Sequence, residues 1–384
     1  MISIDYVTRI NRIQTACHSA GVRAYVATRQ ATLSYLTGAF APWRTACIVP
    51  AVGRPTLVCW ERDASRVRLE TWIGDVVEYG GSCSFITAIA CRLEDIGLES
   101  SKAAFDIGSG GTAQVAPGNL GAAEYIALRE RMPELGIVDA TPFVAPILMV
   151  KEPAELERLR KAALAADAGF HAAHAAIRPG VTECEIAGVV ENAIRREGST
   201  WAWSVTAGTE VAFGPRTAYS KGVTQPATER KAEVGDMVIV DIHSMYDLYL
   251  ADLACNLCLG RPSSAQRRLA DAWEKGVDFL LKSLKAGESA EDAAERTWAL
   301  MADLGYGDFT LKAFGHGLGT CARIPPYINP LSSQILEEDM TIAAGFHLYQ
   351  PGVGGMRLEL PAVIRSTGAE PLSDVPRVLH VISL

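Results

Sequence analysis

The sequence predicts an α/β domain over residues 1–147 followed by an α+β domain over residues 148–384. Three observations lead there. Short apolar strand patterns alternate with helical ones up to about residue 145, as in a layered α/β domain. The segment ILMVKEPAEL then changes character, because Pro153 at a first-turn position followed by acidic residues opens a long helix. Farther on, residues 236–243 and 249–259 alternate apolar and other side chains around a turn-like 244–248, which describes a long hairpin.

Taken in order, residues 4–20 read as an amphipathic helix, GVRAYVATR as a strand, and QATLSYLTG as a helix closed by Gly38. TACIVP and RPTLVCW, joined by AVG, make a hairpin. VVEYG, a helix near 84–96, AAFDIG, a helix near 122–131 and GIVDAT continue the alternation. The helix opened by Pro153 runs to about Ile177. Pro179 and Gly180 break the chain, and Thr182 with Glu185 forms a capping box for a helix ending near Glu197. A strand near 201–207, a turn-rich loop over 208–226, the acidic hairpin, two helices within 264–304 and further strands to Leu384 complete the second domain.

Composition narrows the function classes. The 384 residues are 49% hydrophobic and 21% charged, enough to bury a sizeable core. A net charge of −8 without a clustered Lys/Arg face argues against a nucleic-acid surface and leaves small solutes as partners. No apolar run approaches the ~18 residues of a membrane helix. MISIDYVTRINRIQ also lacks the regions of a secretory signal, so a cytoplasmic protein is expected. Nine irregularly spaced cysteines do not suggest a disulfide framework. Cys255 and Cys258 form an isolated Cys-x-x-Cys on a strand, and His171 and His174 an isolated pair on a helix.

The hairpin acids carry the chemistry. With the tip at Tyr246 and Asp247, Asp241 and Asp252, eleven positions apart, fall opposite one another on the two strands. Opposed like charges destabilise a sheet, so a shared proton or a divalent cation must offset them. The alternative is a register slipped by a residue or two, with both groups solvated strand-end acids.

The order of motifs resembles the creatinase, prolidase and methionine aminopeptidase superfamily, whose catalytic domain has the pita-bread fold. RAYVATRQATLSYLTGAFA is similar to its N-terminal domain, MVKEPAELERLRKAALAADAGF to the helix that opens its catalytic domain, and RPGVTECEIAGVVENAIRREG to the helix after that. In that superfamily two aspartates on a hairpin, a histidine and two glutamates hold two divalent ions. The resemblance maps Asp241 and Asp252 onto the aspartates, His316 in FGHGLG onto the histidine, and Glu359 in GGMRLELPAVI onto the last glutamate. A surface acid paired with Arg357 is the plainer reading of Glu359. The first glutamate is missing: Gly345 stands in its place when Met340 through Glu359 is aligned without gaps, while a gapped alignment would bring Gln350 there. His347, two positions along the same strand face, is either a substitute donor or an ordinary strand histidine.

Other positions depart as well. Phe213 in EVAFGPRT replaces a substrate-side histidine, and Arg323, seven residues after His316, replaces another. His243, Ala254 and Cys255 stand where the superfamily has glycine, threonine and arginine. Three carboxylates and an imidazole suit Mn²⁺, Fe²⁺ or Zn²⁺, with one ion favoured over two and a metal-free site left open. Such an ion would polarise a carbonyl and lower the pKa of its water toward ~7. The resemblance therefore implies a hydrolase of the Xaa-Pro dipeptidase or creatinase type, cleaving an amide or C–N bond in a small polar, carboxylate-bearing substrate or dipeptide. His316, Glu359 and Arg323 are its expected catalytic groups, and Arg44, Phe213, Arg323 and His347 its expected substrate contacts. Arginine's planar fork suits a carboxylate. A metal-independent enzyme resembling creatinase or ectoine hydrolase, with His316 or Glu359 as general acid or base, a lyase or biosynthetic enzyme, and a non-catalytic binding protein are the alternatives. The superfamily's habit implies a homodimer.

Overall fold

A computed structural model describes residues 1–108, 118–200, 208–218 and 225–384. The strand expected over 201–207 lies outside the described residues, as does part of the loop that follows it. The chain divides into two compact units, Ser3–Leu148 and Met149–Leu384, the latter joined by Met1–Ile2.

In the first unit, helices α1 (Tyr6–Ser19), α2 (Gln30–Thr37), α3 (Ala64–Glu70), α4 (Phe85–Asp95), α5 (Ala122–Arg131) and α6 (Thr141–Met149) accompany a mixed sheet. Its strands are β1 (Ala24–Ala27), β2 (Ala46–Pro50), β3 (Thr56–Trp60), β4 (Val76–Tyr79), β5 (Lys102–Phe105) and β6 (Gly136–Asp139), in the order β4-β3-β2-β1-β5-β6. Side-chain caps set the helix starts: Asp5 accepts from the Thr8 amide and Ser84 from the Thr87 amide. Gly38 ends α2 in the left-handed region, at a point where a Cβ would lie 2.5 Å from the Tyr6 hydroxyl. The sequence reading missed α3 and α6. The first is a short seven-residue helix, and the second carries an internal Pro146 that reads as a breaker.

The second unit begins with α7 (Pro153–Ala176) and the boxed helix α8 (Glu183–Arg196). Strand β7 (Glu210–Phe213) leads to the hairpin β8 (Met237–Tyr246) and β9 (Tyr249–Leu259). Helices α9 (Ser264–Ser283) and α10 (Ala290–Asp303) are followed by β10 (Gly315–Gly317), β11 (Thr341–Gln350), β12 (Gly354–Arg365), β13 (Gly368–Pro371) and β14 (Leu379–Ile382). The sheet runs β10-β11-β12-β9-β8-β7, with β13 on β12 and β14 on β9.

Strand alternation divides this sheet into two faces of different chemistry. Val238, Val240 and Ile242 of β8, Leu253 and Leu257 of β9, Phe346 of β11 and Leu358 of β12 point into one apolar core with Phe170, Val190, Ile194 and Trp273 of the helices. Packing there is close enough that a Cβ on Gly276 of α9 would lie 2.3 Å from the Phe346 ring. The intervening residues Asp241, His243, Asp252, His347, Arg357 and Glu359 are all buried and belong to the other face.

The hairpin tip differs from the expectation. It lies at Asp247 and Leu248, both with positive φ (46° and 71°), and Tyr246 pairs with Tyr249. This is the two-residue turn whose twist matches antiparallel strands. Asp247 is held by Arg158, with Nε to Oδ2 at 2.6 Å. Asp241 consequently opposes Ala254, and Asp252 opposes His243. The acids are diagonal neighbours rather than a directly opposed pair, and they keep a common face because the pairing shifts by two.

Candidate metal centre

Four strands bring the polar groups together. β8 carries Asp241 and His243, β9 carries Asp252, β12 carries Arg357 and Glu359, and β11 carries Gly345 and His347. Gly345 pairs with Glu359, and Glu359 with Ala254, which in turn opposes Asp241. His316 enters from β10, opposite Ala343. Glycines on either side of it permit that approach: a Cβ on Gly315 would lie 2.4 Å from the Ala343 carbonyl, and one on Gly317 2.2 Å from the Pro325 carbonyl.

The separations form a pattern. His243 Nε2 stands 3.4 Å from Asp252 Oδ1 and 3.7 Å from Asp241 Oδ1, and His316 Nε2 stands 3.7 Å from Asp252 Oδ2. These exceed hydrogen-bond length. Asp241 Oδ1, Asp252 Oδ1, His316 Nε2 and Glu359 Oε2 are buried with no hydrogen-bond partner among the described residues. Buried polar atoms are ordinarily paired, and four converging orphans mark a place for a group that supplies positive charge. Asp241, His243 and Asp252 form one cluster whose donor atoms lie within 4.8 Å of one another, and Asp252, His316 and Glu359 form a second. The residues present therefore fit a divalent cation.

Electrostatics agree with that fit. Burial, then the Asp241 and Glu359 carboxylates, push Asp252 well above the usual carboxylate range. Burial also opposes ionisation of Glu359, but the His347 hydrogen bond and the Arg357 charge outweigh it and hold this acid below its usual range. Burial lowers His316 to about 4, leaving its imidazole neutral at pH 7. Its Nδ1 is 3.2 Å from the Gly317 carbonyl, and its Nε2 faces Asp252.

Arg357 balances part of the charge, with Nη2 2.8 Å from Asp241 Oδ2 and 3.4 Å from Glu359 Oε1, and Nη1 3.1 Å from Glu210 Oε2. Glu359 is thus paired with Arg357, but as a buried acid and not a surface one. His347 also reaches the cluster, its Nε2 3.2 Å from Glu359 Oε1. It occupies the space beside Gly345, where a Cβ would meet His347 Cε1 at 3.1 Å and Glu359 Oε2 at 3.3 Å. Gln350, the alternative to Gly345, pairs with Gly354 at the far end of the β11–β12 ladder from Gly345.

The remaining expected residues divide. Arg323 adopts φ 60°, donates its backbone N–H to His316 Nδ1 at 3.2 Å, and places its charge where it acts on both Asp252 and His316. Phe213 does not face the cluster: it is fully buried in the helix-side core, three residues and therefore one face away from Glu210. Arg44, in the first unit, binds Glu124 through both Nε and Nη2 and donates to the Gly118 and Asn119 carbonyls, so its fork is already engaged.

Glu210, Tyr349 and Asn256 escaped the sequence reading. Tyr349, two beyond His347, shares its face, and its buried hydroxyl has no partner among the described residues. Asn256 binds the Arg357 backbone with both ends of its amide, at 2.9 and 2.7 Å. Extending the every-second-residue rule from Asp252 and His347 would have found Asn256 and Tyr349. Glu210 follows only from the register that sets it opposite Asp241.

Residues 157–366 match the model of metallopeptidase family M24, more than half of the chain, and residues 9–150 match the creatinase/prolidase N-terminal domain. The chain is 26% identical over 361 residues to an Xaa-Pro dipeptidase of Lactobacillus helveticus, covering 92% of this chain and 93% of that protein. It is 28% identical over 236 residues to an Xaa-Pro dipeptidase of Pyrococcus furiosus, covering 62% and 66%. Among solved structures, an Xaa-Pro dipeptidase from Bacillus anthracis superimposes with TM-score 0.85 at 23% identity, covering 98% of this chain and all of that one. Dipeptidase PepE from Mycobacterium ulcerans does so with TM-score 0.83 at 25% identity, covering 99% and 98%.

Proposed function

Because the chain belongs to metallopeptidase family M24, and is an enzyme of the peptidase-type hydrolase class, we propose that it hydrolyses the amide bond of a small carboxylate-bearing substrate, of which an Xaa-Pro dipeptide is the model. A single divalent cation, Mn²⁺, Fe²⁺ or Zn²⁺, would be held by Asp241, Asp252, Glu359 and His316. The observation that carries this reading is that buried donor atoms of those four residues, without hydrogen bonds among the described residues, gather in two clusters that share Asp252. When bound, the cation supplies a Lewis acid that polarises the scissile carbonyl and activates water.

The chain's own groups do the rest. Arg357 fixes Asp241 and Glu359 in place and keeps the cluster from carrying the full charge of its acids. Glu359 is held ionised at neutral pH, with Oε1 engaged by His347 and Arg357 and Oε2 turned into the cluster as a cation ligand. His316, neutral at pH 7, turns its Nε2 toward the cluster. The half-buried Arg323, which has no carboxylate partner among the described residues, would receive the substrate carboxylate as a bidentate fork.

A metal-independent enzyme of the creatinase type is the second reading. It is favoured by one observation, that Arg357 and His347 already contact Asp241 and Glu359 and offset part of their charge. Element analysis of the purified protein, followed by hydrolysis of a panel of Xaa-Pro dipeptides before and after chelation, separates the two. The cation reading expects about one equivalent of a transition ion, lost in Asp252→Ala, and activity restored by adding it back. Dipeptide hydrolysis that survives complete chelation would establish the second reading instead.

A further inference from the structure

We propose that His243 is itself a metal ligand, and that it restores on one side of Asp252 the donor lost at position 345 on the other. The inference rests on the cation reading above and goes beyond it by adding a residue that stands where the superfamily has glycine.

Placement comes first. His243 is directly opposite Asp252 and two residues from Asp241, so its ring shares the face of both acids. It is buried, and its Nδ1 lies 3.1 Å from the Gly208 carbonyl. A proton donated there leaves the lone pair on Nε2, the atom turned toward the carboxylates, which is the arrangement that orients metal-ligating histidines.

Distance comes second. His243 Nε2 lies 3.4 Å from Asp252 Oδ1 and 3.7 Å from Asp241 Oδ1. Donors sharing one ion at about 2.0–2.2 Å with tetrahedral angles are separated by roughly 3.4 Å. The two facing oxygens, Asp241 Oδ1 and Asp252 Oδ1, have no hydrogen bond among the described residues.

The two oxygens of Asp252 divide the site into lobes, Oδ1 toward His243 and Oδ2 toward His316. On the His316 side the glutamate position is Gly345, and His347 occupies the space next to it. An imidazole added to the Asp241 side therefore shifts the strongest ion position to that lobe. It also tilts selectivity from Mn²⁺ toward Co²⁺ and Zn²⁺, because nitrogen donors follow the steep part of the divalent affinity order.

The test uses the full chain stripped of metal, with Co²⁺, Zn²⁺ and Mn²⁺ titrated against a chromophoric chelator and the visible absorption of the Co²⁺ form recorded. His243→Gly should weaken Co²⁺ and Zn²⁺ at least tenfold, change Mn²⁺ affinity less than threefold, and alter the Co²⁺ spectrum. His243→Asp, which keeps a donor but exchanges nitrogen for oxygen, should retain Mn²⁺ and lose the preference for Co²⁺, and it carries the same comparison if the glycine variant does not fold. Unchanged Co²⁺ affinity and spectrum in both variants, while Asp252→Asn abolishes binding, overturns the role of His243 and leaves the cation reading standing. Failure of the wild-type chain to bind any of the three ions overturns both.

Discussion

Arg323 enters the left-handed region of backbone space at φ 60°, an unfavourable place for a long side chain. Its backbone N–H meets His316 Nδ1 as a result, and its guanidinium, without an ion-pair partner among the described residues, bears on Asp252 and His316. In the proposed enzyme this charge is for the substrate. Lysine retains the charge but not the planar fork, so Arg323→Lys should raise KM about tenfold with little change in kcat. Steady-state kinetics on a cleaved dipeptide measure this, and an unchanged KM removes the carboxylate clamp. Asp241, Asp252, His316 and Glu359 could be expected together from the sequence because their segments resemble those of the superfamily, and the structure places their side chains in adjoining clusters. The part of His243 was not legible: as an isolated letter it is a departure from a glycine, and only the register that sets it opposite Asp252 gives it chemistry.

At the scale of elements, the sheet has a seam where β9 meets β12. The described ladder there is the single pair Glu359 and Ala254, after which β14 takes the edge of β9 from Asn256 onward. Asn256 spans the divergence, donating from Nδ2 to the Arg357 carbonyl and accepting at Oδ1 from the Arg357 amide. Arg357 in turn holds Asp241 and Glu359, so the seam positions the cluster. Asn256→Ala leaves two buried backbone groups without these partners and should cost about 2–3 kcal/mol in denaturant unfolding. A loss below about 0.5 kcal/mol would show that the seam is held elsewhere. The helices on the other face were legible from their caps and period. The hairpin was legible as a hairpin, but its tip was not, since alternation reads the same after a shift of two and the turn residues Asp247 and Leu248 carry no glycine.

For the whole molecule, the consequence is a buried acidic cluster whose stability depends on what neutralises it. Without a cation, Asp252 is the acid pushed toward its protonated form. A ligand that binds only the folded chain stabilises it by about 2.7 kcal/mol at a hundred times its dissociation constant. Wild-type protein in excess Mn²⁺ should therefore unfold at higher denaturant than the chelated protein. Asp252→Asn should unfold no earlier than the chelated wild type and show no response to Mn²⁺. Equal midpoints for wild type with and without Mn²⁺, Co²⁺ or Zn²⁺ would mean that Arg357 and the histidines already satisfy the cluster.

The order of residues alone determined that this chain has two differently built parts, that strand alternation sends every second side chain of a long hairpin to one face, and that four donors recur in segments resembling those of a metal-dependent superfamily. Local chemistry suffices for this, because caps, periods and glycines act within a few residues. Only the tertiary structure decided that His243 and His347 join the cluster, that Arg357 neutralises Asp241 and Glu359, that Phe213 lies in the core and that Arg44 is already engaged by Glu124. Those outcomes depend on register and on approaches between strands far apart in the chain, where a shift of one residue exchanges the buried apolar face for the charged one.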